Sequence, residues 1–297
     1  MRIVLAGGTG FLGRALQAHL RGLDHRVVVL SRRPRNRGPD QVAWTPDGTT
    51  GPWAAALDGS HAVVNLAGEG IADARWSAAR KSALRDSRVL STRSLVGAIH
   101  RASAPPVLVN ASGIGYYGDR GDELVTEAAP AGNDFLAELC VDWEREAEQA
   151  SSTTRVILLR NGLVMHPSGG ALTKMLLPFR LGAGGPLGPG TQYLPWIHLS
   201  DWLELVAWLL NSADARGAFN VTAPSPATNA EFTRALGRAV RRPAFIPVPA
   251  FALPLLLGEL ADTLLSGQRA VPTRATSMGF TFKFCEIEPA LRDLLQH

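Results

Sequence analysis

Glycines 7, 10 and 13 fall in the run Gly7-Gly8-Thr9-Gly10-Phe11-Leu12-Gly13, directly behind the apolar stretch Ile3-Val4-Leu5-Ala6. This spacing suits a backbone that turns sharply out of a strand, comes close to a pyrophosphate and packs the next helix against the sheet. The first amides of that helix then face the phosphates. Leu12, Leu16 and Leu20 follow at helical spacing, so the glycines stand in the strand-turn-helix context that makes the pattern informative. The chain is therefore expected to bind a dinucleotide.

The second strand of such a unit reads Arg26-Val27-Val28-Val29-Leu30, and a site for NAD usually ends it with an acidic residue that holds the ribose 2′-hydroxyl. Here the chain continues Ser31-Arg32-Arg33, which offers the 2′-phosphate of NADP a planar donor fork in place of a repelling carboxylate. NADP is the expected cofactor, with Arg32 on its phosphate. Arg35 and Arg37 read as the solvated remainder of a basic loop.

These residues need a parallel sheet to hold them. Short β-branched runs alternate with helical patterns as far as about residue 165: Gln41 to Trp44, Ala62 to Leu66, Val107 to Ala111 and Val156 to Leu159, with helices from about Trp76 to Ala102 and from Phe135 to Ala150. Alternation of this kind predicts an α/β fold, a Rossmann-type doubly wound parallel sheet with ligands along the strand C-terminal ends. From about Gly169 the text turns Gly- and Pro-rich through Gly182–Gly190. A helix over Asp201 to Asn211 and a strand over Ala218 to Thr222 are expected to return to the sheet. Thr228 and Glu231 are spaced as a capping box, and the remainder reads as a smaller, mostly helical C-terminal substrate lobe. The expected division is a nucleotide-binding domain over 1–165, rejoined by 196–222, and a smaller domain over 166–297.

Composition narrows the class. At 297 residues the chain can bury roughly 75% of the surface it exposes unfolded, enough for one large domain with an appendage. The net charge of +4 comes from scattered arginines without an aromatic-interleaved basic stripe, which argues against nucleic acid as partner. The two cysteines, Cys140 and Cys285, form no CxxC pair, and neither a disulfide framework nor a metal site is indicated. No signal peptide is read at the N-terminus, and the most apolar later stretch, Ala244 to Gly258, is broken by prolines and short of a membrane span. A cytoplasmic protein with a small-molecule partner and no membrane partner is expected, and a homodimer is compatible with this reading.

The glycine turn, Asn65-Leu66-Ala67-Gly68 and Ser112 together resemble the extended, or atypical, short-chain dehydrogenase/reductase superfamily. The segments Ser112 to Gly118, Trp143-Glu144, Met175 to Gly182, Trp196-Ile197-His198 and Thr228 to Phe232 are similar to its epimerase subgroup called SDR39U1-like or YfcH-like, which has its own C-terminal domain. The resemblance implies that Gly7, Thr9, Gly10, Phe11 and Leu12 line the pyrophosphate, and that Ser31 and Arg32 hold the 2′-phosphate end. It places Leu66, Ala67 and Gly68 on the adenine and ribose side, with Arg88 and Val164 also touching the cofactor. Without a ligand, Leu66, Ala67 and Val164 would be buried strand-end residues, and Arg88 a solvated helix charge.

The resemblance also implies a Tyr-x-x-x-Lys pair whose lysine lowers the tyrosine pKa, since a phenol near pKa ~10 is a poor base at neutral pH. No such pair exists: the residues four places after Tyr116, Tyr117 and Tyr193 are Arg120, Gly121 and Ile197, and the expected helix carries Cys140 and Glu144. Cys140 reads as a packing residue. Ser112 remains as a hydrogen-bonding group for a substrate oxygen, with Tyr116 or a bound water as proton donor, while Tyr117-Gly118 can serve the loop structurally. Lys174 and Arg180 can anchor an anionic substrate or line a solvated helix face. His198 can titrate at the site or serve as a structural hydrogen-bonding group ahead of caps at Ser200 and Asp201. The expected function is that of an NADP(H)-binding oxidoreductase or epimerase, with a non-catalytic NADP-binding sensor or regulatory protein as the alternative.

Overall fold

Val27, Val28, Val29 and Leu30 are each at most 2% exposed, so this strand is covered on both faces and reads as a continuous apolar run. The computed structural model describes residues 1–34 and 40–296, apart from the side chain of Leu256; Arg35 and Arg37 lie outside the described residues. Its strands are β1 (Arg2–Ala6), β2 (Arg26–Ser31), β3 (Gln41–Ala43), β4 (Ala62–Asn65), β5 (Val107–Gly113), β6 (Leu124–Val125) and β7 (Val156–Asn161), then β8 (Leu163–Met165), β9 (Tyr193–Leu194), β10 (Trp196–His198), β11 (Gly217–Val221), β12 (Ala227–Thr228) and β13 (Arg269–Ala270). The helices are α1 (Phe11–Gly22), α2 (Ala78–Ile99), α3 (Phe135–Glu148), α4 (Gly170–Arg180) and α5 (Leu199–Asn211), followed by α6 (Asn229–Ala239), α7 (Ala252–Leu257), α8 (Asp262–Leu265), α9 (Thr273–Ser277) and α10 (Ile287–Leu295).

The main sheet runs β11-β7-β5-β4-β1-β2-β3 with every neighbouring pair parallel. The strand order reverses between β1 and β4, which leaves a crevice beyond their C-terminal ends where such sheets take ligands. Leu16 and Leu20 of α1 and Trp202, Leu205 and Leu209 of α5 cover one face, against Ile3, Leu5, Val27, Val109 and Ile157. Leu95 and Ile99 of α2 and Ala147 of α3 cover the other, against Val4, Val28, Leu108 and Leu158. Each buried Leu or Ile contributes about 1.5–3 kcal/mol, so the two layers fix the sheet and with it the crevice. A third core joins Leu172, Leu176 and Phe179 of α4 to Phe232 and Leu236 of α6 and Leu291 of α10, forming the smaller lobe.

Three local features depart from the sequence expectations. Ser112 lies within β5 rather than after it, because its carbonyl accepts from the Asn161 side chain and Ser112 pairs in register with Arg160. Helix α5 begins at Leu199, and His198 is itself the cap, its Nδ1 accepting from the Ser200 amide at 3.1 Å. The Asp201 carboxylate serves elsewhere, receiving the amides of Lys283 and Phe284.

Candidate functional site

Gly7 closes β1 with φ +76°, and a Cβ there would lie 2.5 Å from the Leu66 carbonyl carbon and 2.7 Å from the Ala67 nitrogen. Only glycine lets the two chains meet at the switch point. A Cβ on Gly13 would lie 2.3 Å from the Gly7 carbonyl oxygen, so α1 packs against the turn itself. Gly10 caps α1 without a side-chain hydrogen bond, which leaves the amides at its start to a ligand or water. Thr9 and Gly10 are exposed, whereas Phe11 and Leu12 are half-buried. The Phe11 ring lies against Gly169 and Gly170, whose missing side chains make room for it.

Ser31 is buried at the end of β2 and its Oγ accepts the Arg33 amide at 3.2 Å, while Arg32 is exposed beside it. Across the crevice, Asn65 Nδ2 donates to Asn110 Oδ1 at 2.7 Å, and Asn65 Oδ1 accepts the Ala67 amide at 3.1 Å. This pair sets the turn Leu66-Ala67-Gly68. Val164 is buried in β8, beside Ile197 of β10.

Arg88 is not the solvated helix charge that its sequence position allowed. It is 8% exposed and donates to the carbonyls of Leu84 and Glu69, both at 2.9 Å, with its guanidinium 5.2 Å from the Trp143 ring. It ties the 66–70 turn to α2 and lies against Gly68, and desolvation lowers its pKa.

The most closely coupled set of polar side chains stands at the ends of β5 and β7. Ser112 Oγ donates to Glu144 Oε1 at 2.6 Å. Arg160 grips the same carboxylate through Nε to Oε1 at 2.9 Å and Nη2 to Oε2 at 2.8 Å. Its third nitrogen, Nη1, donates to the Tyr117 hydroxyl at 2.9 Å, which donates on to Asn220 Oδ1 at 2.7 Å. Burial first of all pushes the Tyr117 phenol up to about 12, so it is a fixed structural donor. Tyr116 has its ring over the same guanidinium, 3.5 Å from centroid to Arg160 Cζ, and remains half-buried.

Glu144 thus stands where the family's lysine was expected, but as an acceptor-only carboxylate neutralised by Arg160. Cys140, one turn earlier on α3, is buried, and its thiol is pushed up to about 11, by desolvation first and by Glu144 second. Cys140 is therefore a packing residue. Sequence reasoning missed Arg160 and Asn220; the signal for the former was a single charge closing the apolar run Val156 to Leu159, which demands a buried partner.

The three residues expected at the substrate do not converge. Lys174 is exposed on α4 and its Nζ donates to the Ala72 carbonyl at 2.8 Å and lies 3.3 Å from Asp73, fastening the 71–76 loop to the smaller lobe. Arg75 in that loop donates to the carbonyls of Pro254 and Leu255, both at 3.3 Å. Arg180 lies at the far end of α4, beside Arg241 and Gln296. His198, 5% exposed, is the α5 cap and stacks on Phe284 with centroids 4.0 Å apart.

A model of the NAD dependent epimerase/dehydratase family matches residues 3–222, most of the chain. The chain belongs to this family. A second model, a domain of unknown function (DUF1731), matches residues 248–294. The epimerase family protein SDR39U1 of Bos taurus is 41% identical over 301 residues, covering 99% of this chain and 100% of the relative. An epimerase family protein of Mycobacterium bovis, Mb2239, is 44% identical over 293 residues, covering 97% and 96%. Among solved structures, the crystal structure of human SDR39U1 with NADPH is similar at a TM-score of 0.92 and 38% identity, covering 100% of this chain and 99% of that one. The resemblance carried by the Ser112 to Gly118 and Trp196 to His198 motifs, and the Rossmann-type sheet read from the strand pattern, are both borne out within this family.

Proposed function

We propose that the chain binds NADP(H) in the crevice between β1 and β4 and acts as an oxidoreductase or epimerase on a small molecule held beside Ser112 and Tyr116. One observation carries the cofactor half: Gly7 and Gly13 let Leu66-Ala67 and the start of α1 approach the turn more closely than any Cβ would allow, at a strand-to-helix turn whose neighbouring strand ends in Ser31-Arg32 without a carboxylate. The human relative crystallised with NADPH supports the same cofactor. Gly7, Thr9, Gly10, Phe11 and Leu12 would hold the pyrophosphate, Ser31 and Arg32 the 2′-phosphate, and Leu66, Ala67 and Gly68 the ribose side, with Arg88 and Val164 behind them. Bound NADPH supplies a hydride.

The residues of the chain handle the proton. Ser112 Oγ is held by its hydrogen bond to Glu144 and serves as a hydrogen-bonding group for the substrate oxygen. Tyr116 or a water carries the proton to or from the substrate oxygen. The cytoplasm suits two free cysteines.

Thermal shift tests the cofactor: NADPH is expected to raise Tm well above what NADH achieves, and equal stabilisation defeats the claim. Turnover of NADPH absorbance against a carbonyl library then tests chemistry. A substrate whose turnover collapses in Ser112→Ala establishes it. A non-catalytic NADP-binding role is the second reading, favoured by the buried, unreactive Cys140 thiol and the missing Tyr-x-x-x-Lys; it stands if NADPH binds and no carbonyl is turned over.

A further inference from the structure

From Phe232 to Gly258 the chain carries four arginines, Arg234, Arg238, Arg241 and Arg242, and no acidic residue. Arg241, Arg242 and Phe245 line one open depression of about 620 Å³ with Arg234 and Arg238, and Arg241 lines a second with Arg180. Large apolar side chains stand out of the same segment: Phe245 and Phe251 are each 75% exposed, Leu255 74% and Ile246 50%. Leu181, at the end of α4, is 74% exposed as well. The backbone here is pinned, not loose. Val248 exchanges hydrogen bonds with Pro186 and Gly188, both at 2.9 Å. Helix α6 ends in a Schellman motif, with the Arg242 amide on the Gly237 carbonyl and the Arg241 amide on Arg238.

Arg241 occupies the left-handed position of that motif at φ +55°, where glycine is the residue without penalty. An arginine there costs stability relative to glycine, so its charge is held outward at the expense of the fold. Arg238 has a partner in Glu288, whereas no carboxylate pairs with Arg241 or Arg242 among the described residues. Arg238 and Arg234 face the carboxylates of Glu288, Glu286 and Glu231 on one side, so the free cationic heads are those of Arg241 and Arg242. Beside the exposed Phe245, on a segment without acidic residues, they match an anionic lipid headgroup layer over hydrocarbon. No helix among the described residues is long and apolar enough to cross a membrane, so the contact is peripheral.

We propose that the face formed by Arg241, Arg242 and Phe245, with the exposed Ile246 next in sequence, docks the protein on anionic phospholipid membranes. This stands apart from the cofactor reading, since none of these residues belongs to the crevice. The test is co-sedimentation of the full chain with vesicles of phosphatidylcholine alone and of phosphatidylcholine with phosphatidylglycerol. Partition is expected to rise by about tenfold or more with the anionic lipid and to fall as salt is added. Arg241→Gln with Arg242→Gln removes the preference for anionic lipid, and Phe245→Ser with Ile246→Ser lowers binding to anionic vesicles. Circular dichroism and the NADPH thermal shift are expected to be unchanged in both double variants, which separates loss of docking from loss of fold. Absent or equal sedimentation with the two lipids overturns the proposal. So does a concentration-dependent dimer in light scattering that Phe245→Ser dissolves while vesicle binding is missing, because the face then serves a second copy of the chain.

Discussion

Glu144 and Arg160 form a bidentate ion pair in which both side chains are less than 10% exposed, with bonds of 2.9 and 2.8 Å. The pair takes up further interactions: Ser112 on the carboxylate, and Tyr117, the Tyr116 ring and the Glu127 carbonyl on the guanidinium. Glu144→Ala leaves a buried cation without its counter-charge and is expected to cost about 3 kcal/mol or more of stability. Glu144→Leu combined with Arg160→Met removes both charges and is expected to cost less than the single change. Urea unfolding of the three proteins measures this, and a double variant less stable than Glu144→Ala contradicts it.

Gly7→Ala places a Cβ against the Leu66 carbonyl in a backbone with φ +76°. Neither the strand ends nor the turn can move without opening the switch point, so a loss of about 1–3 kcal/mol is expected. The NADPH-induced thermal shift is expected to vanish with it. An unchanged shift in a stably folded Gly7→Ala protein would show that the nucleotide does not rely on this turn.

Arg32→Ala tests how the cofactor is chosen. Arg32 is exposed at the end of β2, and its one difference between NADPH and NADH is the 2′-phosphate. Loss of a charge-assisted bond of about 1.5–3 kcal/mol corresponds to roughly 10- to 100-fold weaker NADPH binding with NADH unaffected. Calorimetric titration of both nucleotides reads this directly; parallel weakening of both would assign Arg32 to general electrostatics.

Cys140 is expected to resist alkylation. With its thiol pushed up to about 11, only about one molecule in a thousand carries the thiolate at pH ~8, and the side chain is buried as well. Mass spectrometry after brief iodoacetamide treatment of the folded protein is expected to find the label on the exposed Cys285. Fast labelling of Cys140 would reopen it as a nucleophile.

The parts of this molecule that were legible in the sequence are those with a single physical solution. Glycine at position 7 answers to a positive φ and a close backbone approach, and Ser31-Arg32 is read from the absence of a carboxylate at a fixed distance from the turn. Thr228 and Glu231 form the capping box that their spacing announced. Glu144 was legible as a departure from the family pattern, but its partner was not: Arg160 comes from a different element, and no periodicity links the two. His198 escaped assignment as a cap because a histidine seldom takes that place; Ser200 and Asp201 looked better by residue type alone. Lys174 was read from charge, and the contact that occupies it lies 101 residues away at Asp73.

His198 supplies the prediction for acid stability. Burial, the largest effect, lowers its pKa below the ordinary histidine value of 6.5, and the carboxylates of Asp293, 3.3 Å away, and Asp201 only partly oppose this. Lys283 and His166 add to the lowering. The folded protein therefore keeps the ring neutral at a pH where the unfolded chain takes up a proton. Its contribution is fully present above pH ~6.5 and is lost as pH falls from there towards the lower folded value. His25 and His166, also lowered mainly by burial, act in the same direction. His198→Asn retains an oxygen that can accept the Ser200 amide but no longer titrates, so it is expected to flatten the fall in stability between about pH 7 and about pH 5 even if it weakens the protein at neutral pH. Urea unfolding of both proteins across that range checks the claim. Equal slopes for the two would remove His198 from the account, and a wild-type protein that grows more stable towards pH ~5 would reverse its sign.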